Sequence, residues 1–280
     1  MSEHRERGPS APAPEAPRAG EVSEHRERDI PPIRERGRSA PAPEAPRAGE
    51  VSEHRERVVS VLMSIYNRAE YLEEAEHSVL ADTSATHELL LIDDGSTDGA
   101  EVVAATFADR AVVLRQDHRG CPSAWNLGLA HARGDYVTFC DSDDLWIPGH
   151  TGTLLEVLDA RPEADVVFGN TTEFVSPELD AESLATRTPY DEQRAPVGGA
   201  MVARRAVFDT VGPFDETLLQ GYWFDWYARL VDGGVSTTEI DVVVLRRRIH
   251  LQNSSIVQSG LLGEYARALH ASLVRRRASQ

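Results

Sequence analysis

Three carboxylates fall within four residues at Asp141-Ser142-Asp143-Asp144, directly after the apolar run Tyr136-Val-Thr-Phe-Cys140. Carboxylates crowded this closely repel one another, and burying them without partners is costly. They require a cation or several backbone donors, and a divalent metal with oxygen ligands meets that need most simply. The competing reading is an acidic turn capping the next helix, because Pro148 suits the first turn of a helix over Thr151 to Leu158. This segment alone leaves both readings open.

The run before the carboxylates is β-branched and aromatic, the pattern of a buried strand. Open α/β sheets bind ligands at the carboxyl ends of their strands. Two other segments have the same form. His87-Glu-Leu-Leu-Leu-Ile92 ends in Asp93-Asp94-Gly95-Ser96-Thr97-Asp98, and Asp98-x-x-Glu101 has capping-box spacing before Val102, Val103 and Phe107. Val58 to Ile65 is closed by Tyr66-Asn67, and Asn67-x-x-Glu70 opens a helix with Tyr71, Leu72, Ala75 and Val79 on one face. Three strands therefore end in polar turns that a parallel sheet would bring to one edge.

In order and with sensible spacing, several segments resemble the family 2 glycosyltransferases. They are Val61 to Arg68, Leu91 to Asp98, Ala124-Trp-Asn-Leu-Gly128 and Gly134 to Pro148, followed by Val211-Gly-Pro-Phe-Asp-Glu216 and Arg248-Ile-His-Leu-Gln-Asn-Ser254. The resemblance covers roughly residues 58–255. It implies a GT-A-like α/β fold: a mixed, mostly parallel sheet flanked by helices, built to take a nucleotide-diphospho-sugar. It also implies a nucleotide-sugar donor, a divalent metal (Mn2+ or Mg2+) and inversion at the anomeric carbon.

Carried over residue by residue, the resemblance assigns Asp141 and Asp143, with Ser142 between them, to donor and metal. Asp144 would brace the turn or meet the sugar. Ser64, Tyr66, Asn67 and Asp93 or Asp94 match positions that hold base and ribose, and their local alternative is turn and cap chemistry. Asn126 belongs with the donor-side residues. Gly198-Gly199, before Ala-Met-Val-Ala, reads as a close-packed strand with Gly199 lining the sugar pocket. His250 would reach the metal or the diphosphate, with Arg246, Arg247 and Arg248 suited to phosphate oxygens.

The acceptor side departs from the pattern. Tyr222-Trp223 stands where an acidic pair is expected, and one carboxylate of such a pair takes the proton from the attacking hydroxyl. Asp225 is the local carboxylate that remains, so it is the candidate base, recruited across one helical turn. Otherwise the acceptor needs little deprotonation, or the chain binds donor and transfers poorly. Tyr222, Trp223 and Trp226 form a candidate acceptor platform, although aromatics at helical spacing also build cores. Trp125 stands where the family often carries Arg, which puts in question one phosphate contact that the resemblance implies.

Composition narrows the classes. All 29 basic side chains are Arg, which excludes a lysine nucleophile, a Schiff base or a Lys-containing phosphate loop. That argues against the nucleotidyltransferase alternative, which shares strand-end carboxylates. Residues 1–57 repeat Ser-Glu-His-Arg-Glu-Arg and a Pro/Ala-rich block and hold 11 Arg and 12 acidic residues. Nearly all of the formal charge of −17 thus lies beyond them, and an acidic surface disfavours nucleic acid and anionic lipid. The repeats are expected to be a disordered arm, lacking apolar residues to bury. Cys121 and Cys140 give no disulfide framework or metal signature. No apolar run approaches 18 residues, so no integral membrane segment and a cytoplasmic location are expected. Residues 256–280 read as a C-terminal helix and tail with Leu261, Leu262, Tyr265, Leu269 and Leu273 in a stripe. Packing back on the domain is the expected use of that stripe, ahead of a homodimer or membrane-surface contact.

Overall fold

The computed structural model describes residues 57–179, 189–194, 196–253 and 262–278. The expected arm, apart from Arg57, and Ser254 of the last family-like segment lie outside the described residues.

Eight strands form one sheet in the order β3-β2-β1-β4-β7-β6-β8-β5. The strands are β1 (Val58–Ile65), β2 (Thr86–Asp93), β3 (Ala111–Arg115), β4 (Tyr136–Phe139), β5 (Leu145–Trp146), β6 (Val166–Val175), β7 (Met201–Arg204) and β8 (Thr237–Ile249). Strands β3, β2, β1 and β4 run parallel, as does the β6–β8 pair. The β4–β7, β7–β6 and β8–β5 pairs are antiparallel. The expected mixed, mostly parallel sheet is therefore present.

Side chains alternate across β1, and both of its faces are covered. Val59, Val61, Met63 and Ile65 face one core with Leu72, Ala75 and Val79 of helix α1 (Ala69–Leu80). Leu62 faces the other with Ala124 and Trp125 of helix α3 (Cys121–His131). Two-sided burial explains why β1 reads as an almost unbroken apolar run. Among the other helices, α2 (Ala100–Ala105), α4 (His150–Ala160) and α5 (Ala206–Val211) follow β2, β5 and β7 in the chain. Helix α6 (Tyr222–Asp232) carries the aromatic cluster, and α7 (Leu262–Ala278) packs against it.

Several local expectations change. Asp98 is not the cap of α2; that position is Gly99, at φ 94°. The Asp98 carboxylate instead accepts from Ala69 N at 2.9 Å and Ala100 N at 3.0 Å, tying the starts of α1 and α2 together. Pro148 precedes α4, whose cap is Gly149 at φ 85°, a left-handed turn that favours glycine. Residues 171–175, Thr-Thr-Glu-Phe-Val, continue β6. Helix α7 turns Glu264, Ala268 and Ser272 inward, each at most 5% exposed, and leaves Tyr265, Leu269 and Leu273 at the surface. Ion pairs from Arg275 and Arg276 to Asp232 hold it there, with Glu264 accepting Gln220 N and Gly221 N. Among the described residues, no helix is long and apolar enough to cross a membrane.

One buried acid on α1 has a measurable consequence. Glu76 is fully buried, and neither of its carboxylate oxygens has a hydrogen-bond partner. Burial raises its pKa to about 8, with Arg110 opposing weakly. An acid whose folded pKa exceeds its unfolded value destabilises the fold progressively as pH rises between those values. That window runs from about pH 4.5 to about pH 8. Glu76→Met keeps the volume and removes the charge. It should raise stability by about 2–4 kcal/mol at pH 8 and by far less at pH 5. Thermal melts at the two pH values check this; an equal gain at both would assign the effect to packing.

Candidate active site

The turns after β1, β2 and β4 meet in one cleft of about 650 Å³. Its floor is the acidic turn after β4. One oxygen from each of Asp141, Asp143 and Asp144 lies within 4.8 Å of the other two, the spacing of a shared cation site. The backbone positions them: Cys140 N bonds to Leu62 O and extends the β1–β4 ladder, so the carboxylates begin where the sheet ends.

The three acids differ. Asp143 Oδ2 accepts from His250 Nε2 at 2.9 Å and Arg68 Nε at 3.2 Å. Burial opposes its ionisation, but those partners outweigh it and hold the carboxyl below its ordinary range. Asp144 is buried and takes Arg248 N at 2.9 Å; burial and the charges of Asp143 and Asp141 push it well up. Asp141 faces the cleft. Desolvation there, then the charge of Asp143, raise it to about 6. An acid made this reluctant to ionise by its neighbours is what a bound divalent cation would relieve. Three carboxylates this close fit such an ion, whereas His250 spends Nε2 on Asp143 and Nδ1 on Gln252 N and stands outside the cleft lining.

The arginines divide by role. Arg248 is structural: it donates to Asp143 O, pairs with Glu74 and lies over the rings of Tyr71 and Phe174. Arg246 covers the Phe174 ring. Arg247 lines the cleft, with its nearest carboxylates, Asp144 and Glu173, 3.9 and 4.0 Å away.

Of the donor-side candidates, Ser64, Tyr66, Asp94, Asp141, Ser142 and Asp143 line the cleft. Tyr66 is stacked on His118, with centroids 3.8 Å apart and planes at 11°. Asp94 is saturated. Its Oδ1 accepts Gln116 Nε2 at 2.7 Å and Arg119 N at 2.8 Å, and its Oδ2 takes His118 Nδ1 and Gly120 N, both at 2.8 Å. It organises the loop 116–120 and offers no free acceptor edge to a base.

Other candidates stand elsewhere. Asp93 caps its own turn through Ser96 N and pairs with Arg115. Asn67, at φ 52°, ties the first turn to the second through Ser96 and Thr97. Asn126 exchanges hydrogen bonds with both backbone groups of Phe214 and reaches Glu216, so it braces that loop. Gly199 sits in a 3-10 turn, Gly198–Ala200, where a Cβ would lie 3.0 Å from Leu245; its close packing is against β8. Sequence reasoning missed Arg119, Cys121, Leu219, Gln220 and Tyr265 as cleft residues. The Gly-Cys-Pro start of α3 was a signal for Cys121.

On the acceptor side, Tyr222 and Trp223 line the cleft and Trp226 does not. Trp226 is fully buried, its indole N–H bonded to Gly212 O, so it belongs to the core. Asp225 also lies outside the cleft lining. Its carboxylate accepts Arg229 Nε at 2.8 Å and has Arg275 at 3.8 Å. One helical turn past Tyr222 carries Asp225 along the axis to these guanidiniums, a setting that favours an ion-pairing role. Asp225→Asn should therefore lower the melting temperature by about 3–6 °C, for a charged hydrogen bond worth about 1.5 kcal/mol. Turnover per folded molecule should change less than about threefold, against the ~10²–10⁴ of a general base. Paired melts and rate measurements separate the two; a large rate loss at unchanged stability would restore Asp225 as base.

The two departures from the family pattern touch each other. Trp125 packs edge-on to Tyr222 at 5.4 Å and Trp223 at 6.1 Å, with Phe139 and Phe214 completing the cluster. Tyr222 donates to Cys121 Sγ, which also contacts Ser64 Oγ. Burial, then Asp141, push the Cys121 thiol up to about 12, so it is an inert neutral group here.

A sheet of this order, with carboxylates at the β4 edge, has the GT-A glycosyltransferase fold. Staphylococcus aureus TarS residues 1–349, solved with UDP-GlcNAc, superposes with a TM-score of 0.61 at 15% identity, covering 78% of this chain and 66% of that one. A Pyrobaculum calidifontis mannosyltransferase, solved with GDP-Man and Mn2+, gives 0.59 at 19% identity, covering 78% and 65%. The model of glycosyl transferase family 2 matches residues 60–212, and the chain belongs to that family. An uncharacterized glycosyltransferase of Rickettsia prowazekii is 26% identical over 223 residues, 74% of this chain and 69% of the relative. The chain thus spans about two thirds of the length of these relatives.

Proposed function

We propose that this cleft transfers a sugar from a nucleotide-sugar donor, with inversion, using a divalent metal held by the strand-end carboxylates Asp141 and Asp143. The observation that carries the reading is the strand-end triad of carboxylates with oxygens within 4.8 Å of one another. Manganese or magnesium, when bound, would supply Lewis-acid stabilisation of the charge on the departing diphosphate. His250 orients Asp143, and the Arg248 contacts to the backbone of Asp143 and to Asp144 keep the turn in place. Arg247 lines the cleft beside Asp144 and Glu173 and hydrogen-bonds to Tyr190, and from there it can reach phosphate oxygens. Tyr66 offers an aromatic face to a nucleobase. The donors complexed with the structural neighbours, UDP-GlcNAc and GDP-Man, support this donor class but leave base and sugar unassigned. The Tyr222–Trp223 wall suits an acceptor with an apolar or sugar-ring face.

A second reading is supported by a specific observation. Among the described residues lining the cleft, the carboxylates are the strand-end triad and the saturated Asp94. None stands on α6, where the family pattern places a base. A member impaired in transfer, acting as donor-binding partner of another transferase, would look like this. Incubation with a panel of nucleotide sugars, Mn2+ and simple hydroxyl acceptors separates the readings. Release of nucleoside diphosphate, with a product of opposite anomeric configuration by proton NMR, supports transfer. Donor binding without release supports the second reading.

A further inference from the structure

Arg68 stands at the junction of every part of the metal-site reading, and its contacts give it a role of its own. Its Nε donates to the Asp143 oxygen that His250 also holds. Its remaining nitrogens are clamped: Nη1 donates to Asn67 O at 2.8 Å and Gln252 Oε1 at 3.1 Å, and Nη2 donates to Gln252 O at 2.7 Å. The side chain is 15% exposed and lines the cleft. A fixed positive charge thus already satisfies Asp143. A divalent cation arriving alone meets a carboxylate in use and a like charge beside it. A diphosphate changes the balance, because a guanidinium pairs with phosphate oxygens at least as well as with a carboxylate.

We propose that Arg68 couples the two binding events: it neutralises Asp143 in the empty cleft and turns to the diphosphate when nucleotide enters, releasing Asp143 to the metal. Arg68 is then a positioning residue that makes metal binding conditional on nucleotide. This rests on the metal-site reading above. Linkage requires the effect to be reciprocal, so metal must strengthen nucleotide binding by the same factor.

The test is titration of Mn2+ alone, followed by electron paramagnetic resonance of the free ion, with and without saturating UDP or GDP and with the Mn2+ taken up by the nucleotide subtracted from a protein-free control. Wild-type protein should bind Mn2+ at least tenfold more tightly with the diphosphate that it accepts. Arg68→Met, which keeps the side-chain stem, should bind Mn2+ alone about tenfold more tightly than wild type, and its coupling factor should fall below the wild-type value by about the same factor. Unchanged or weaker Mn2+ binding by Arg68→Met would overturn the proposal, as would equal wild-type affinity with and without diphosphate. If Arg68→Met does not fold, as judged by circular dichroism, Gln252→Leu is read instead. That change loosens the clamp at an exposed position and should tighten Mn2+ binding about threefold; no change overturns the proposal. If wild type binds no Mn2+ under any condition, it is the metal-site reading itself that fails.

Discussion

Asp143→Asn is expected to lower turnover about 10²–10³-fold, since a metal's stabilisation of a leaving diphosphate is worth several kcal/mol and each 1.36 kcal/mol is tenfold. The substitution is nearly isosteric. Asn still offers an oxygen to Arg68 or His250, so the fold should survive with a melting temperature within a few degrees of wild type. What it removes is the charge at the carboxylate that His250 and Arg68 converge on. Rates of nucleoside diphosphate release across a Mn2+ titration provide the check. A variant with wild-type turnover and unchanged metal dependence would show that this turn is structural and that the acidic-cap reading was the right one.

Restoring the family's acidic residue by Trp223→Asp should be the most destabilising of the changes considered. Trp223 lies against Trp125, Phe139, Phe214 and Trp226, and its indole N–H donates to Pro196 O. Deleting the ring costs about 3–5 kcal/mol, and leaving a carboxylate among aromatic faces adds to that. A fall of at least ~8 °C in melting temperature follows at about 2–4 °C per kcal/mol for a domain of this size. Trp125 packs on both Tyr222 and Trp223, so the three aromatics form one packing unit. The triple change Trp125→Arg, Tyr222→Glu, Trp223→Asp should therefore cost less than the sum of its parts, as contacting residues do. Additive losses would show that the departures are independent. A stable Trp223→Asp with faster transfer to hydroxyl acceptors would mean that the aromatic wall serves no packing role.

The sheet edge was legible because parallel strands buried on both faces read as apolar runs, and because Asp and Asn at their ends cannot continue a core strand. Hence β1, β2 and β4 and the acidic turn Asp141 to Asp144 followed from the residues, whereas Ser64 and Tyr66 as site positions came from the family resemblance. What the residues did not reveal was the direction of side chains on helices and in turns. Asp225 and Trp226 follow Trp223 within one turn of α6, yet face Arg229 and the core. Asn126 has a family-like position but spends its amide on the Phe214 backbone. Asp94 lines the cleft, and only the folded loop 116–120 reveals that four donors already fill it. Arg68 closes the first family-like segment, Val61 to Arg68. Its importance comes from Asp143 and Gln252, 75 and 184 residues away in the chain.

The central claim is that the strand-end carboxylates bind a nucleotide sugar through a divalent metal. Calorimetric titration of the wild-type chain with a panel of UDP-, GDP- and other nucleotide sugars, in Mn2+ and again in EDTA, tests it directly. Saturable heat is expected for at least one donor in Mn2+, with a loss of at least tenfold in affinity in EDTA. No binding across the panel, or binding of equal strength in EDTA, would contradict it.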